Sequence, residues 1–564
     1  MNFNDYEYKR IDLDEVKIAM DKQFAIMDEA TSIDELDVAI KEVYRIRNEV
    51  ETMSTIASIR FSINMKDEFY KAENDYQNSA SPIMEGIVHK FYQKLVQSPM
   101  QMEIKARYGE HLINLATLAV KTFSDDIIKD LQEENRLITS YSVLVGNAKI
   151  DFRGKDYNLS TMAPFISDYD RATRIEAQKA VTRFFEDHET EFDDIYDKLV
   201  KLRHNIAIKL GYENYIQYGY DKLQRTDYGP LDVKKFRDQV YEHITPLRLE
   251  LKKKQAKRIG LDHFYYYDAP LYFNTGNPKP AGDEAYMVEE AKKMYHELSP
   301  QTHDFFDYMI ENNLMDLASR DGKRPGGYCT YMSDYKAPYI FANFNGTDHD
   351  VVVLTHEAGH AFQVFQSRGY EVSEYQFPTL EACEIHSMSM EYLTYPWMKH
   401  FFGEDHEKFI YDHSSKPIEF IPYGVAVDEF QHWVYEYPHA TPDQRKQKWL
   451  EIDHKYRPEI DYEDNDFLKR GGYWFRQGHI FRVPFYYIDY TLALICAVQF
   501  YVKSTQDRKK AWDDYLNLCN QGGSQSFLRL LESADLDNPF YDGTVQKVIY
   551  KVWTLLNSID DTKL

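Results

Sequence analysis

The chain has little cysteine and no cysteine pattern. Cys329, Cys383, Cys496 and Cys519 are its only four and lie far apart. Without a CxxC pair, neither a disulfide framework nor a thiolate zinc site is predicted. Long apolar runs are missing too. The longest apolar-rich stretch, Thr491 to Val502, falls far short of the roughly 20 residues of a membrane helix, so no membrane association is expected. The opening Met1-Asn2-Phe3-Asn4-Asp5-Tyr6 has no basic region followed by an apolar one; no signal peptide is read, and a cytoplasmic location is expected. Positive charge is in deficit: 67 Lys and Arg against 92 Asp and Glu leave a formal net charge of −25. Such a balance repels phosphate backbones and anionic membranes, so no nucleic-acid partner is expected. There is no internal repeat and no low-complexity tract.

What is present is helical periodicity. The 564 residues are 43% hydrophobic, enough for a large core. Ser32 and Glu35 form a capping box, and behind them Ile33, Leu36, Ile40, Val43 and Val50 recur on one face of a long helix. Similar patterns run through 84–96, 110–133 and 170–208. Breaker residues mark 262–284 as a long loop, and Arg324-Pro325-Gly326-Gly327 as a second break. The alternation over Tyr339–Phe344 predicts a strand, with Asn345-Gly346 as a hairpin-type turn after it. From Val351 onward the pattern is helical to the end.

The strongest chemical signal is His356-Glu357-Ala358-Gly359-His360. Two histidines four apart share one helix face with Cβ atoms about 5–6 Å apart, a spacing that lets both imidazoles grip one ion. Glu357 follows the first histidine and can reach a water on that ion without ligating it, the place of a general base. By chance roughly one chain in twenty of this histidine content would carry such a motif, so a third ligand is needed. The stretch Glu381 to Glu391 offers several candidates on a helix whose Met388, Met390 and Leu393 predict burial. Buried acids require partners, and a metal or its histidines supply them. Residue chemistry alone leaves Glu381, Glu384, His386 and Glu391 all in contention.

HEAGH followed by Glu384-Ile385-His386-Ser387, with Glu384 24 positions after His360 (384 − 360), resembles the thimet oligopeptidase family of zinc metallopeptidases. The likeness is to its oligoendopeptidase F and Pz-peptidase branch. The resemblance implies His356, His360 and Glu384 as zinc ligands, with one Zn²⁺ per chain, and Glu357 as general base and acid. Glu381 or Glu391 would orient imidazoles. A second match is the run from Gly478 to Tyr490, which resembles the family's histidine-to-tyrosine stretch. It implies His479 and Tyr490, then Tyr486, as donors to the oxyanion, with Tyr487 as packing. Its shorter link between histidine and tyrosines favours the oligoendopeptidase F branch. Gly326-Gly327-Tyr328 and the strand reaching Asn343 resemble the glycine turn and edge strand that hold a peptide by its backbone. Asp428 to Trp433 is similar to a family segment near the active-site wall.

The fold this implies is mainly α: two helical lobes enclosing a deep substrate channel, with a small β element beside the HExxH helix. Residues 1–204 would form a helical lid region and 205–564 the catalytic domain. The function implied is a zinc endopeptidase cutting internal bonds of short, unfolded peptides. A zinc carboxypeptidase of related helical fold and a non-catalytic peptide-binding protein are the alternatives.

Overall fold

The computed structural model describes residues 1–564. About 71% of them are helical, as the periodicity predicts. The chain opens with helices α1 (Leu13–Glu29), α2 (Ile33–Ile63) and α3 (Glu68–Gln97). They bury an apolar face of their own, in which Phe24, Leu36, Ile40, Val43, Phe91 and Leu95 meet Leu112 from the helix Glu110–Lys121. Ser32 caps α2 by accepting from the Glu35 N–H at 3.3 Å. The reciprocal half of the expected capping box shifts by one residue: the Glu35 carboxylate accepts from the Thr31 N–H. The periodicity over 110–133 is interrupted. Its first helix ends at Lys121, Phe123 turns inward, and helix α4 (Ile128–Gly146) starts afresh.

A much larger core occupies the rest of the chain and takes in the inward faces of α2 and α4. The two bodies are tied by charge: Arg47 of α2 pairs with Glu374 at 2.6 Å, and the Tyr92 hydroxyl donates to the same carboxylate. Between them lies a cavity of about 400 Å³ lined by Arg47, Glu51 and Tyr92 on one side and by Asp221 and Lys222 on the other.

Besides a short hairpin, β1 (Ile150–Phe152) and β2 (Lys155–Tyr157), the β content is one three-stranded sheet. Its strands are β3 (Met315–Ala318), β4 (Tyr328–Met332) and β5 (Ala337–Phe344), ordered β3-β5-β4. β5 runs parallel to β3 and antiparallel to β4, with Tyr328 opposite Phe341 and Met332 opposite Ala337. β4 is thus an edge. The hairpin turn precedes β5, around Lys336 in the left-handed region, and not after it. Asn345 and Gly346 instead lead into helix α5 (His349–Ser367), because Asp350 accepts from both of their N–H groups, at 3.0 and 2.7 Å, and anchors the turn to the helix start. The remaining frame comprises helices α6 (Leu380–Leu393), α7 (His406–Glu436), α8 (Gly478–Arg482) and α9 (Tyr487–Gln506).

Candidate metal centre and active site

Helix α5 carries His356, Glu357 and His360 past α6, and Gly359 sets the distance. A Cβ on Gly359 would stand 2.6 Å from Ser387 Cα and 2.8 Å from the His386 carbonyl oxygen. Only glycine lets the two backbones touch here. That contact brings Glu384 under both imidazoles: its Oε2 lies 3.1 Å from His356 Nε2 and 3.4 Å from His360 Nε2. Zinc with N and O ligands at about 2.1 Å in tetrahedral array separates its ligand atoms by about 3.4 Å. The three side chains therefore present the donor set and the spacing of one zinc site, and all their ligating atoms lie within 4.8 Å of one another.

Each of these groups is held from behind. His356 Nδ1–H donates to Glu391 Oε1 at 2.6 Å, which leaves its Nε2 lone pair facing Glu384. Glu391 Oε2 in turn receives His413 Nε2 at 2.6 Å, and His413 Nδ1 meets the Tyr395 hydroxyl at 2.6 Å. Burial alone would raise the Glu391 pKa, but the two imidazoles pull it down to about 2. Glu384 accepts from the Ser387 hydroxyl at 3.0 Å and from the Tyr486 hydroxyl. The other two candidates of α6 turn elsewhere. His386 is fully buried and engages the Ala382 carbonyl at 2.7 Å. Glu381 is sealed, and burial raises its pKa against the pull of Arg225.

Glu357 is 7% exposed, and its Oε2 has no hydrogen-bond partner. Burial raises its pKa; the neighbouring His356 and His360 oppose this, and Glu384 and Glu391 add to it. Such a carboxylate is a readier proton acceptor than one in water. The backbone of Gly327, just ahead of edge strand β4, passes beside it: a Cβ there would sit 3.2 Å from Glu357 Oε1.

His479 and Tyr490 come together as a pair, His479 Nε2 lying 3.3 Å from the Tyr490 hydroxyl. The structure also supplies what the sequence did not reveal, a device fixing the histidine tautomer. The Tyr423 hydroxyl donates to Gln477 Oε1 at 2.8 Å, which turns the Gln477 amide NH₂ toward His479 Nδ1, 2.8 Å away. Nδ1 then accepts, so Nε2 carries the proton. Burial, with Arg482 second, lowers the His479 pKa to about 3, so the ring stays neutral. Burial, then Glu384, raises the Tyr490 pKa well above its usual value and keeps its proton in place. Phe485, between His479 and the tyrosines, adopts φ +64°. This costs a bulky residue strain, and two remote groups hold it: its N–H donates to Gln431 at 3.0 Å and its carbonyl accepts from Arg225 at 2.6 Å. The kink delivers Tyr486 onto Glu384 and Tyr490 onto His479.

The sequence of a protein family, described as peptidase family M3, matches residues 165–548, and a peptidase M3 N-terminal domain matches residues 3–123. The chain belongs to peptidase family M3. A solved structure of Pz peptidase A with an inhibitor is 50% identical over 100% of both chains, with a TM-score of 0.99. A structure described as a candidate oligoendopeptidase F is 48% identical over 100% of both, at 0.99. Another so described, from Bacillus anthracis, is 47% identical over 100% of this chain and 99% of its own, at 0.94. A comparison with curated protein sequences finds no match. This M3 peptidase stands in the oligoendopeptidase F and Pz-peptidase branch and shares its two-lobed helical fold. It is a metalloendopeptidase of oligopeptides, in a family whose metallopeptidases are generally zinc-dependent. No helix is long and apolar enough to cross a membrane.

Proposed function

We propose that His356, His360 and Glu384 hold one zinc ion per chain and that Glu357, His479 and Tyr490 carry out peptide hydrolysis beside it. The observation that carries this reading is the convergence of two imidazole nitrogens on one Glu384 oxygen, at 3.1 and 3.4 Å, next to a carboxylate with a free oxygen. A zinc ion bound there supplies a Lewis acid that polarises the scissile carbonyl and makes a water molecule more acidic. Glu357 takes a proton from that water as it attacks and hands it to the leaving amine. His479 Nε2–H and the Tyr490 O–H donate to the carbonyl oxygen as negative charge builds on it, neither competing for the ligand positions. Tyr486 stands next to this pair and steadies Glu384 through its hydroxyl. Glu391 and His413 fix the plane of His356.

The substrates are short, unfolded peptides, whose backbone would pair with β4; that β4 is an edge strand supports this reading. We assign 1–204 as the lid region and 205–564 as the catalytic domain. A cytoplasmic location accords with four free thiols. Glu357→Gln tests the scheme: metal analysis should find zinc retained at one per chain, while kcat falls by about 10²–10⁴-fold. Full turnover in that variant would rule the scheme out.

A further inference from the structure

The chain has 19 histidines. In only two places do three metal-ligating side chains gather with all their ligand atoms within 4.8 Å of one another. One is His356, His360 and Glu384. The other is His296, His303 and Asp307, which peptide hydrolysis leaves unused.

A tight helical hairpin builds this second cluster. The helix Glu284–Leu298 stops at Ser299, and Pro300 at once opens the helix Pro300–Glu311. Ser299 caps the second helix by accepting from the Thr302 N–H at 3.1 Å, and the Thr302 hydroxyl donates back to the Tyr295 carbonyl at 2.7 Å. Tyr295, Phe305, Phe306 and Met309 are fully buried, so both helices turn an apolar face inward. Four residues make about one helical turn, which sets Lys292 beside His296 on the first helix and His303 beside Asp307 on the second. The two pairs meet across the hairpin. His296 Nε2 lies 2.8 Å from Asp307 Oδ1, His303 Nε2 lies 3.2 Å from its Oδ2, and Lys292 Nζ lies 3.3 Å from Oδ1. The imidazoles stack with centroids 3.7 Å apart.

The nitrogen-to-oxygen separations are close to those of the first cluster, where Glu384 Oε2 stands 3.1 and 3.4 Å from two Nε2 atoms. Tetrahedral zinc holds its N and O ligands about 3.4 Å apart. We propose that His296, His303 and Asp307 form a second metal site, on the surface, which takes one Zn²⁺ or a similar divalent transition ion with water completing its shell. Imidazole and carboxylate donors suit such an ion. Binding requires the Nε2 lone pair of each ring, with the remaining proton on Nδ1. The His303 side chain is 47% exposed and turns to open the stack. Lys292 competes for the carboxylate. The ion staples the two helices, and Phe305 of the second packs on Phe362 and Phe365 of α5, both at 5.5 Å. The staple thus braces the helix that carries His356 and His360. It is the weaker of the two sites. Glu384 and His356 are held from behind by Ser387, Tyr486 and Glu391, and such support is worth about 10–100-fold in metal affinity.

The test counts zinc per chain by equilibrium dialysis against buffered free zinc. The wild type should bind one equivalent and then, at free zinc about 10- to 100-fold higher or more, a second. His356→Ala/His360→Ala should lose the tight equivalent and keep the weak one, so the result does not depend on the catalytic assignment. His296→Ala and His303→Ala should each keep the tight equivalent and lose the weak one; circular dichroism checks that they are folded. Lys292→Met should tighten the weak equivalent by about two- to fivefold, the worth of an exposed ion pair. The thermal midpoint of the wild type should rise over the zinc range in which the second ion binds, and that of His303→Ala should not. A wild type that stops at one equivalent, or a second equivalent retained in both single histidine variants, overturns the proposal.

Discussion

Replacing Gly359 with Ala should open the metal centre by a distance that follows from the structure. The added Cβ would stand 2.6 Å from Ser387 Cα, 2.8 Å from the His386 oxygen and 3.0 Å from Met390 Cβ. Ordinary carbon contacts are about 3.5–4.0 Å, so α5 and α6 must part by about 1 Å. The nearest two atoms are backbone, and no rotamer change relieves them. Overpacking of this kind costs about 1–3 kcal/mol of stability. The larger effect falls on the site, because His360 follows Gly359 and Glu384 lies one turn before Ser387. A misplacement of about 1 Å costs on the order of 10²-fold in rate, and disturbed ligand support costs about 10–100-fold in metal affinity. Chelator competition would measure zinc affinity, and hydrolysis of a defined peptide would give kcat/KM. Gly369→Ala is the control, since a Cβ there meets nothing within 4 Å. If Gly359→Ala keeps zinc affinity and kcat/KM within about twofold of the control, helix contact does not set the ligand cage, and the reasoning fails.

Two further outcomes are expected. Gln477→Met removes the donor to His479 Nδ1 and frees the tautomer; kcat should fall about 10- to 100-fold with zinc content unchanged, and a normal kcat would remove Gln477 from the site. His111, 8% exposed and stacked on Tyr375, has its pKa lowered by burial to about 4. Between pH 6.5 and 4 the unfolded chain binds this proton and the folded one does not, so the contribution is intact above pH 6.5 and is lost as pH falls, by about 2 kcal/mol at pH 5. Urea-unfolding midpoints from pH 7 to 4.5 should therefore drop less steeply in His111→Phe than in the wild type, and parallel curves would contradict the assignment.

The readings that held in the sequence are those built on near neighbours. His356 and His360 share a face because four residues are one helical turn, and α2 begins at Ile33 because Ser32 can cap it. Glu384 is one of four candidates by residue chemistry, and only family spacing singles it out. In the structure the four part ways through packing: Gly359 admits Glu384, His413 claims Glu391, the Ala382 carbonyl takes His386, and Glu381 is sealed near Arg225. Apart from Ala382, one turn before His386 on the same helix, none of those partners is visible in a helical pattern. The hairpin expected at Asn345-Gly346 fails for the same reason, since a local turn signal is overridden by the Asp350 carboxylate that ties both residues to the next helix.

The oxyanion side of the site shows how far such partners reach. Phe485 is an apolar residue among apolar residues, and nothing in its neighbourhood predicts a left-handed backbone. The conformation is imposed by Gln431, 54 residues away, and by Arg225, 260 residues away. Arg225 is itself held by Asp489 at 2.6 Å, the residue just before Tyr490. The arginine thus clamps both ends of the kink that aims the tyrosines. Gln477 acts likewise, its orientation set by Tyr423 from α7. The residue types of the proposed site are therefore local signals, whereas the constraints that aim them are pairwise contacts across the fold. A kink held by hydrogen bonds at both its N–H and its carbonyl stays fixed while peptides enter and leave, which is what the donor roles proposed for His479 and Tyr490 would require.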